Sequence, residues 1–118
     1  MNIIMNLTIK RRWFDMIASG EKREEYRELD NMQVAKAFAR SYLEPKVDGV
    51  MVLRNGYRMD SQALAVRVLS IDLCMMNLPE HPEWGEPNYP HYAIVLDEIV
   101  SRGTYAEVKE WLEKGDGK

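Results

Sequence analysis

The chain has 118 residues, of which 46% are hydrophobic and 30% charged, and its formal net charge is −3. This length is typical of one domain, and the composition excludes a wholly disordered chain. The acidic balance argues against non-specific binding of duplex DNA, which needs many lysine and arginine contacts with phosphates. The single cysteine, Cys74, excludes an intramolecular disulfide and a zinc site built from cysteines.

The first third of the chain predicts two strands separated by a helix. Residues 2–7 are apolar and β-branched enough for an opening strand. Thr8 is expected to cap a short helix that ends at Gly20, because glycine accepts the left-handed conformation common at helix ends. Residues 22–27 then form the second predicted strand. The beginning of the chain lacks a basic segment before its apolar stretch, so no secretory signal is expected.

The middle of the chain predicts a second helix and then three more strands. The helix is capped by Asp30 or Asn31 and closed by Pro45. Apolar or alternating runs predict strands at residues 50–53, 63–73 and 92–96. None of the apolar runs is long enough to cross a bilayer, so we expect a cytoplasmic protein without a membrane partner.

Residues 78–91 are rich in proline and charge and predict a long loop. A last helix is expected to open with a capping box formed by Thr104 and Glu107. Five strands with short helices between them indicate an α+β fold, whose sheet can close into a small barrel. We expect one domain over residues 1–114 and a short flexible tail at 115–118.

The charged residues 20–27 provide the strongest indication of a functional site. After the helix stop at Gly20, Lys22 begins a strand on which Glu25 and Arg27, two residues apart, point to the same face. The planar guanidinium of Arg27 suits a phosphate or a base edge, and Glu25 can orient it. The alternative is a solvated ladder of surface ion pairs, which contributes little to stability.

A second polar cluster lies between two predicted strands and suits single-stranded nucleic acid. Arg54 and Arg58 can meet phosphates, and Tyr57 offers a ring on which a base can stack. Asn55, followed by a glycine, indicates a turn and adds a hydrogen-bonding side chain. The alternative is a polar turn with a half-buried tyrosine.

The proline-rich loop contributes one further candidate, Trp84. Its indole can cover a ligand, or it can anchor the loop against the core. His81 and His91 occur in the same loop without the spacing of metal ligands, so we predict that they lie on the surface. We expect no metal site and no cofactor.

The pattern Gly20-x-Lys22-x-x-Glu25-x-Arg27, after a Trp-Phe-x-x-Ile helix, resembles the signature of ASCH (activating signal cointegrator homology) domains. Further agreement follows in order at residues 52–58, 84–85 and 92–99. The resemblance covers nearly the whole chain and implies a PUA-like β-barrel of about five strands with short flanking helices. It also implies that the four motif residues line a cleft that binds RNA or a modified nucleoside.

Our first functional hypothesis is therefore a module that binds single-stranded RNA or a modified nucleoside. The second is an RNA-processing hydrolase that uses Lys22 and Glu25, since some ASCH-like proteins are ribonucleases or N4-acetylcytidine amidohydrolases. Those amidohydrolases have a threonine nucleophile where this chain has Glu25, and a carboxylate does not replace a hydroxyl. We therefore expect little hydrolysis of N4-acetylcytidine. A protein–protein adaptor is the third possibility.

Overall fold

The computed structural model describes residues 3–43, 49–75 and 90–114, with three helices and five strands in these ranges. Their order is β1 (Ile3–Thr8), α1 (Arg11–Ser19), β2 (Glu24–Glu28), α2 (Met32–Leu43), β3 (Val50–Arg54), β4 (Gln62–Met75), β5 (Pro90–Thr104) and α3 (Tyr105–Glu113). The predicted α+β class with five strands is confirmed. None of these helices is long and apolar enough to span a membrane. Trp84, His81 and the predicted tail lie outside the described residues.

The strands form one mixed sheet in the order β1-β3-β4-β5-β2. β1 runs parallel to β3, and the other neighbouring pairs are antiparallel. The long β4 and β5 pair along most of their length, with register shifts between Ala65 and Ser70 that are of the kind that bend a sheet. β2 pairs only with residues 91–95 of β5, so the later residues of β5 have a strand neighbour on one side alone, β4, in the described parts of the chain.

The sheet is open, and the closed barrel implied by the family resemblance is not observed. β1 and β2 are its two edges, and no strand pairing joins them in the described parts of the chain. A side chain makes the connection instead: Arg27 on β2 donates from Nη2 to the backbone oxygen of Thr8 on β1, at 2.9 Å. The sheet therefore curls until its edges are one arginine side chain apart, which is too far for backbone hydrogen bonds.

Helices cover both faces of the sheet. α1 contributes Phe14 and Ile17 to the larger apolar cluster, which α2 also joins. α3 packs Val108 and Leu112 against the opposite face. Residues 50–53 of β3 alternate between these two clusters and are at most 1% exposed. Burial on both faces explains why this strand is a continuous apolar run.

The ends of α1 only partly follow the prediction. Gly20 ends the helix as expected, with a φ of 87° and its N–H donating to the backbone oxygen of Ile17. The predicted cap at Thr8 is wrong, because β1 continues to Thr8 and the helix starts after Lys10, which makes no side-chain cap. Pairing of Thr8 with Arg54 of β3 keeps this residue in the sheet.

The other predicted caps are confirmed. The side-chain oxygen of Asn31 accepts from the backbone N–H of Val34 at the start of α2. Thr104 and Glu107 form the reciprocal capping box of α3. The prediction for His91 is wrong, because this residue is fully buried inside β5, paired on one side with β2 and on the other with β4.

Candidate functional site

The chain between α1 and β2 is anchored at both ends. The backbone N–H of Lys22 donates to the oxygen of Met16 in α1, at 3.0 Å. The backbone oxygen of Arg23 accepts from Leu96 of β5, at 2.9 Å. These two contacts, together with the left-handed turn at Gly20, determine where the charged motif enters the sheet.

Glu25 and Arg27 share a face of β2, as predicted, and form an ion pair. Arg27 donates to Oε2 of Glu25 from both Nε, at 2.9 Å, and Nη2, at 2.7 Å. The side chain of Glu25 is 5% exposed and that of Arg27 is 21% exposed, so the surface-ladder alternative is wrong for this pair. The carboxylate is occupied in orienting the guanidinium, which also reaches Thr8.

The end of β1 brings the two candidate clusters of the sequence together. Thr8 receives the guanidinium of Arg27 at its backbone oxygen, and its Oγ1 lies 3.4 Å from the hydroxyl of Tyr57. The next residue, Ile9, accepts a hydrogen bond from Nδ2 of Asn55, at 3.1 Å. Residues 27 and 57 thus meet at one threonine, although 30 positions separate them in the chain.

The turn after β3 presents Tyr57 to solvent. Its side chain is 84% exposed, so the half-buried alternative is wrong. The turn is held by Ser61, whose Oγ accepts from the N–H of Arg58, at 3.1 Å. Gly56 has a φ of 134°, and a Cβ there would lie 2.8 Å from the same Ser61 oxygen. The turn therefore requires glycine at this position and displays the tyrosine in a defined conformation.

The two arginines of this turn have different roles. The guanidinium of Arg54 lies 3.5 Å from the ring centroid of Tyr105 in α3 and donates to the backbone oxygen of Arg58. Arg54 is thus used to join the turn to α3. Arg58 pairs with Asp60 at 3.0 Å, and both side chains are more than two-thirds exposed. Such a surface pair is weak, so Arg58 can exchange it for a phosphate.

Lys22 lies against aromatic rings. Its Nζ is 4.5 Å from the ring centroid of Tyr26 and 5.1 Å from that of Trp13. Tyr26 alternates with Glu25 and Arg27 along β2 and therefore projects from the other face of the strand. The described contacts of Lys22 are thus with this aromatic pair, and a cleft shared by all three charged residues stays a prediction.

A groove of about 510 Å³ opens beside these rings, and we call it the α1–β2 groove. Its lining includes Arg12, Trp13, Met16, Lys22, Arg23 and Tyr26. Arg12, Trp13 and Tyr26 were not predicted as site residues from the sequence. The available signal was the interleaving of basic and aromatic residues at 12–13 and 22–26.

A second groove, of about 390 Å³, separates α1 from β5. Gly20, Lys22 and Arg23 line it on one side, and Asp97 and Arg102 line it on the other. Lys22 and Arg23 therefore border both grooves. Within residues 3–43, 49–75 and 90–114, no three histidine, cysteine or acidic side chains are grouped as metal ligands.

Comparisons of the chain with protein-family models, with curated proteins and with solved structures give no match. The resemblance to ASCH domains therefore depends on the motifs of the chain alone.

Proposed function

We propose that the chain binds single-stranded RNA or a modified nucleoside at the end of β1. The observation that carries this proposal is the position of Tyr57, an 84% exposed ring on a constrained turn beside Thr8. Thr8 also holds the guanidinium of Arg27. An exposed ring stacks an unpaired base, while a nearby guanidinium recognises a phosphate or a base edge.

The charge distribution supports a single-stranded ligand over duplex DNA. The net charge of −3 is unsuited to the many phosphate contacts that hold a duplex. At this site the available cations are Arg58, which is exposed, and Arg27, which is partly exposed. Few cations and one exposed ring favour one or two unpaired nucleotides.

We also propose that the chain is an ASCH-like domain with a relation to PUA-like folds. The order of its motifs along the chain supports this, and so does a strongly curled five-stranded sheet flanked by helices. The contact of Arg27 with Thr8 gives the fourth motif position a structural role, since it links the two edges of the sheet.

The environment of Glu25 supports binding ahead of hydrolysis. A carboxylate that acts as a general base must reach the substrate proton that it removes. Oε2 of Glu25 accepts two hydrogen bonds from Arg27, and the side chain is only 5% exposed. This arrangement suits a residue that positions Arg27 better than one that reacts with substrate.

The test is a fluorescence-anisotropy titration with a labelled single-stranded RNA of about ten nucleotides. Loss of a stacking ring costs about 1–3 kcal/mol per base, so Tyr57→Ala should weaken binding roughly fivefold to 150-fold. Tyr57→Phe keeps the ring and is the matched control, with affinity near that of the native chain.

Equal affinity of the native chain and Tyr57→Ala would overturn this site, and absence of RNA binding would overturn the function. A chromatographic assay of RNA cleavage and of N4-acetylcytidine conversion to cytidine tests the hydrolase alternative. Turnover by the native chain that is lost in Lys22→Ala would establish the hydrolase in place of the binding module.

A further inference from the structure

The α1–β2 groove combines aromatic rings with positive charge, and none of its lining residues belongs to the Tyr57 turn. The guanidinium of Arg12 lies 4.4 Å from the ring centroid of Trp13, and the ammonium of Lys22 lies 5.1 Å from the same centroid. One indole thus positions two cations. Cation–π contacts of this kind hold long side chains in place before a ligand arrives, which lowers the entropy that binding costs.

The charges of the lining residues indicate a ligand with a single phosphate. The lining contains three cations, Arg12, Lys22 and Arg23, and two carboxylates, Glu21 and Glu24. The lining therefore carries one excess positive charge, although the whole chain is acidic. Lys22 is only 8% exposed, so the groove is where its ammonium is reached. A run of phosphates would meet the two carboxylates and be repelled, whereas one phosphate can lie between the basic side chains.

The apolar part of the lining suits a nucleobase. Trp13, Tyr26 and Met16 form this part of the groove, whose volume is about 510 Å³. Pockets for small molecules and cofactors have volumes of about 300–1,000 Å³. The groove is thus of a size for one nucleotide, and bases stack readily on aromatic rings and on arginine guanidinium planes.

We propose that the α1–β2 groove is a nucleotide subsite. It holds one base against Arg12 and Trp13, and one phosphate between Lys22 and Arg23. This subsite deepens the proposed function and rests on it, because it gives the bound nucleic acid a second contact apart from Tyr57. Lys22 thereby has a binding role that does not require it to share a cleft with Arg27.

The experiment is a titration of the ¹⁵N-labelled chain with adenosine 5′-monophosphate, followed by NMR. The expected result is a shift of the Trp13 indole signal and of the backbone amides of residues 22–24. Adenosine alone and inorganic phosphate alone should each bind more weakly, since each provides only half of the contacts. Arg12→Gln should weaken binding about tenfold, because it removes the guanidinium plane on which the base stacks. Arg23→Gln should weaken it about tenfold as well, because it removes a charged donor to the phosphate.

Arg11→Gln is the matched control for Arg12→Gln. Arg11 is the neighbouring residue of α1, its side chain is 69% exposed, and it pairs with Asp15 outside the groove. The control removes the same charge and should change the affinity less than twofold. If Arg11→Gln and Arg12→Gln lower the affinity for adenosine 5′-monophosphate equally, the binding reflects general charge attraction and the subsite is overturned.

Failure of the subsite and failure of the proposed function give different results. If adenosine 5′-monophosphate leaves the NMR signals of the groove residues unchanged while RNA binding still depends on Tyr57, the subsite alone is overturned. Nucleotide shifts in the groove, with RNA binding unaffected by Tyr57→Ala, would support the subsite and overturn the site at the end of β1. Absence of binding by both ligands would overturn both.

Discussion

The Glu25–Arg27 pair acts on stability as well as on any ligand, because it joins β2 to β1. A guanidinium can donate to a carboxylate and to a backbone oxygen together, since its donors form a planar fork. Here Arg27 donates to Glu25 and to Thr8, at 2.7–2.9 Å. Removal of Arg27 would leave the Glu25 carboxylate buried without its cation.

We predict that Arg27→Ala lowers the free energy of unfolding by roughly 3 kcal/mol, near the lower end for a broken buried pair, since Arg27 keeps some exposure. Arg27→Lys should lower it less, because an ammonium restores the charge without the fork. Urea denaturation measures both. Arg58→Ala, which breaks the exposed pair with Asp60, is the control and should change stability by less than about 1 kcal/mol. If Arg27→Ala lowers the free energy of unfolding no more than Arg58→Ala does, the link that Arg27 makes between β2 and β1 is contradicted.

Cys74 is a second residue whose neighbours set its chemistry. Partial burial raises the pKa of its thiol, and the carboxylates of Asp72 and Glu24 raise it further. The reactive thiolate is therefore scarce at neutral pH. We predict slow alkylation by iodoacetamide and a rate roughly twofold to fivefold higher in Asp72→Asn, because one nearby negative charge is removed. Asp60→Asn is the control. An equal increase of the alkylation rate in this variant would contradict the effect of Asp72 on the Cys74 thiol.

At the scale of elements, α3 depends on its first turn. Thr104 accepts from the N–H of Glu107, and the Glu107 carboxylate accepts from the backbone N–H and the hydroxyl of Thr104. The two hydrogen bonds that the carboxylate accepts, first from the backbone N–H and then from the hydroxyl of Thr104, lower the pKa of Glu107. A lowered pKa in the folded state means that the stabilisation is present above the unfolded pKa and is lost as pH falls through the folded one.

We therefore predict that the first turn of α3 becomes less stable as the pH falls through the folded-state pKa of Glu107. Hydrogen exchange of the Glu107 amide should quicken relative to amides in the middle of β3. Thr104→Ala should weaken this pH dependence, because it removes the hydroxyl that donates to Glu107 but keeps the backbone N–H. It should also lower stability by about 1 kcal/mol, a typical effect of losing an N-cap. Glu113→Gln, at the other end of α3, is the control and should leave the pH dependence in place. A Glu107 amide whose protection does not change with pH would contradict the prediction.

At the scale of the whole molecule, the distribution of charge decides which nucleic acids can bind. The chain carries a net charge of −3, and a few of its basic side chains lie beside aromatic rings at the Tyr57 turn and in the α1–β2 groove. Each place offers a small number of cations beside an aromatic ring. This arrangement is suited to stacking with limited phosphate contact.

We predict a shallow salt dependence for the binding of single-stranded RNA. Contact with two or three phosphates gives a slope of log K against log salt of about −1.4 to −2 for a single strand. Titrations at several salt concentrations measure the slope, and a duplex DNA of the same sequence is the control, which should bind more weakly. Tight duplex binding with a much steeper slope would contradict this reading of the charges.

Local features of the fold follow from neighbouring residues and were predictable from the sequence. The stop at Gly20, the Asn31 cap and the Thr104–Glu107 box depend on side chains within a few positions of the backbone groups that they satisfy. The shared face of Glu25 and Arg27 follows from the alternation of a strand. These are short-range effects, so the order of residues is enough to determine them.

The site itself depended on the tertiary structure. Thr8 was predicted to cap a helix, yet it ends β1 and receives both Arg27 and Tyr57. His91 was predicted on the surface, yet it lies in a central strand between β2 and β4 and is fully buried, with the ring of Tyr26 packed against its imidazole. Whether the sheet closes into a barrel likewise depends on the distance between its edge strands β1 and β2, which do not pair in the described residues. Such features depend on which distant segments pack together, and periodicity along one strand or helix contains no information about its neighbours in space.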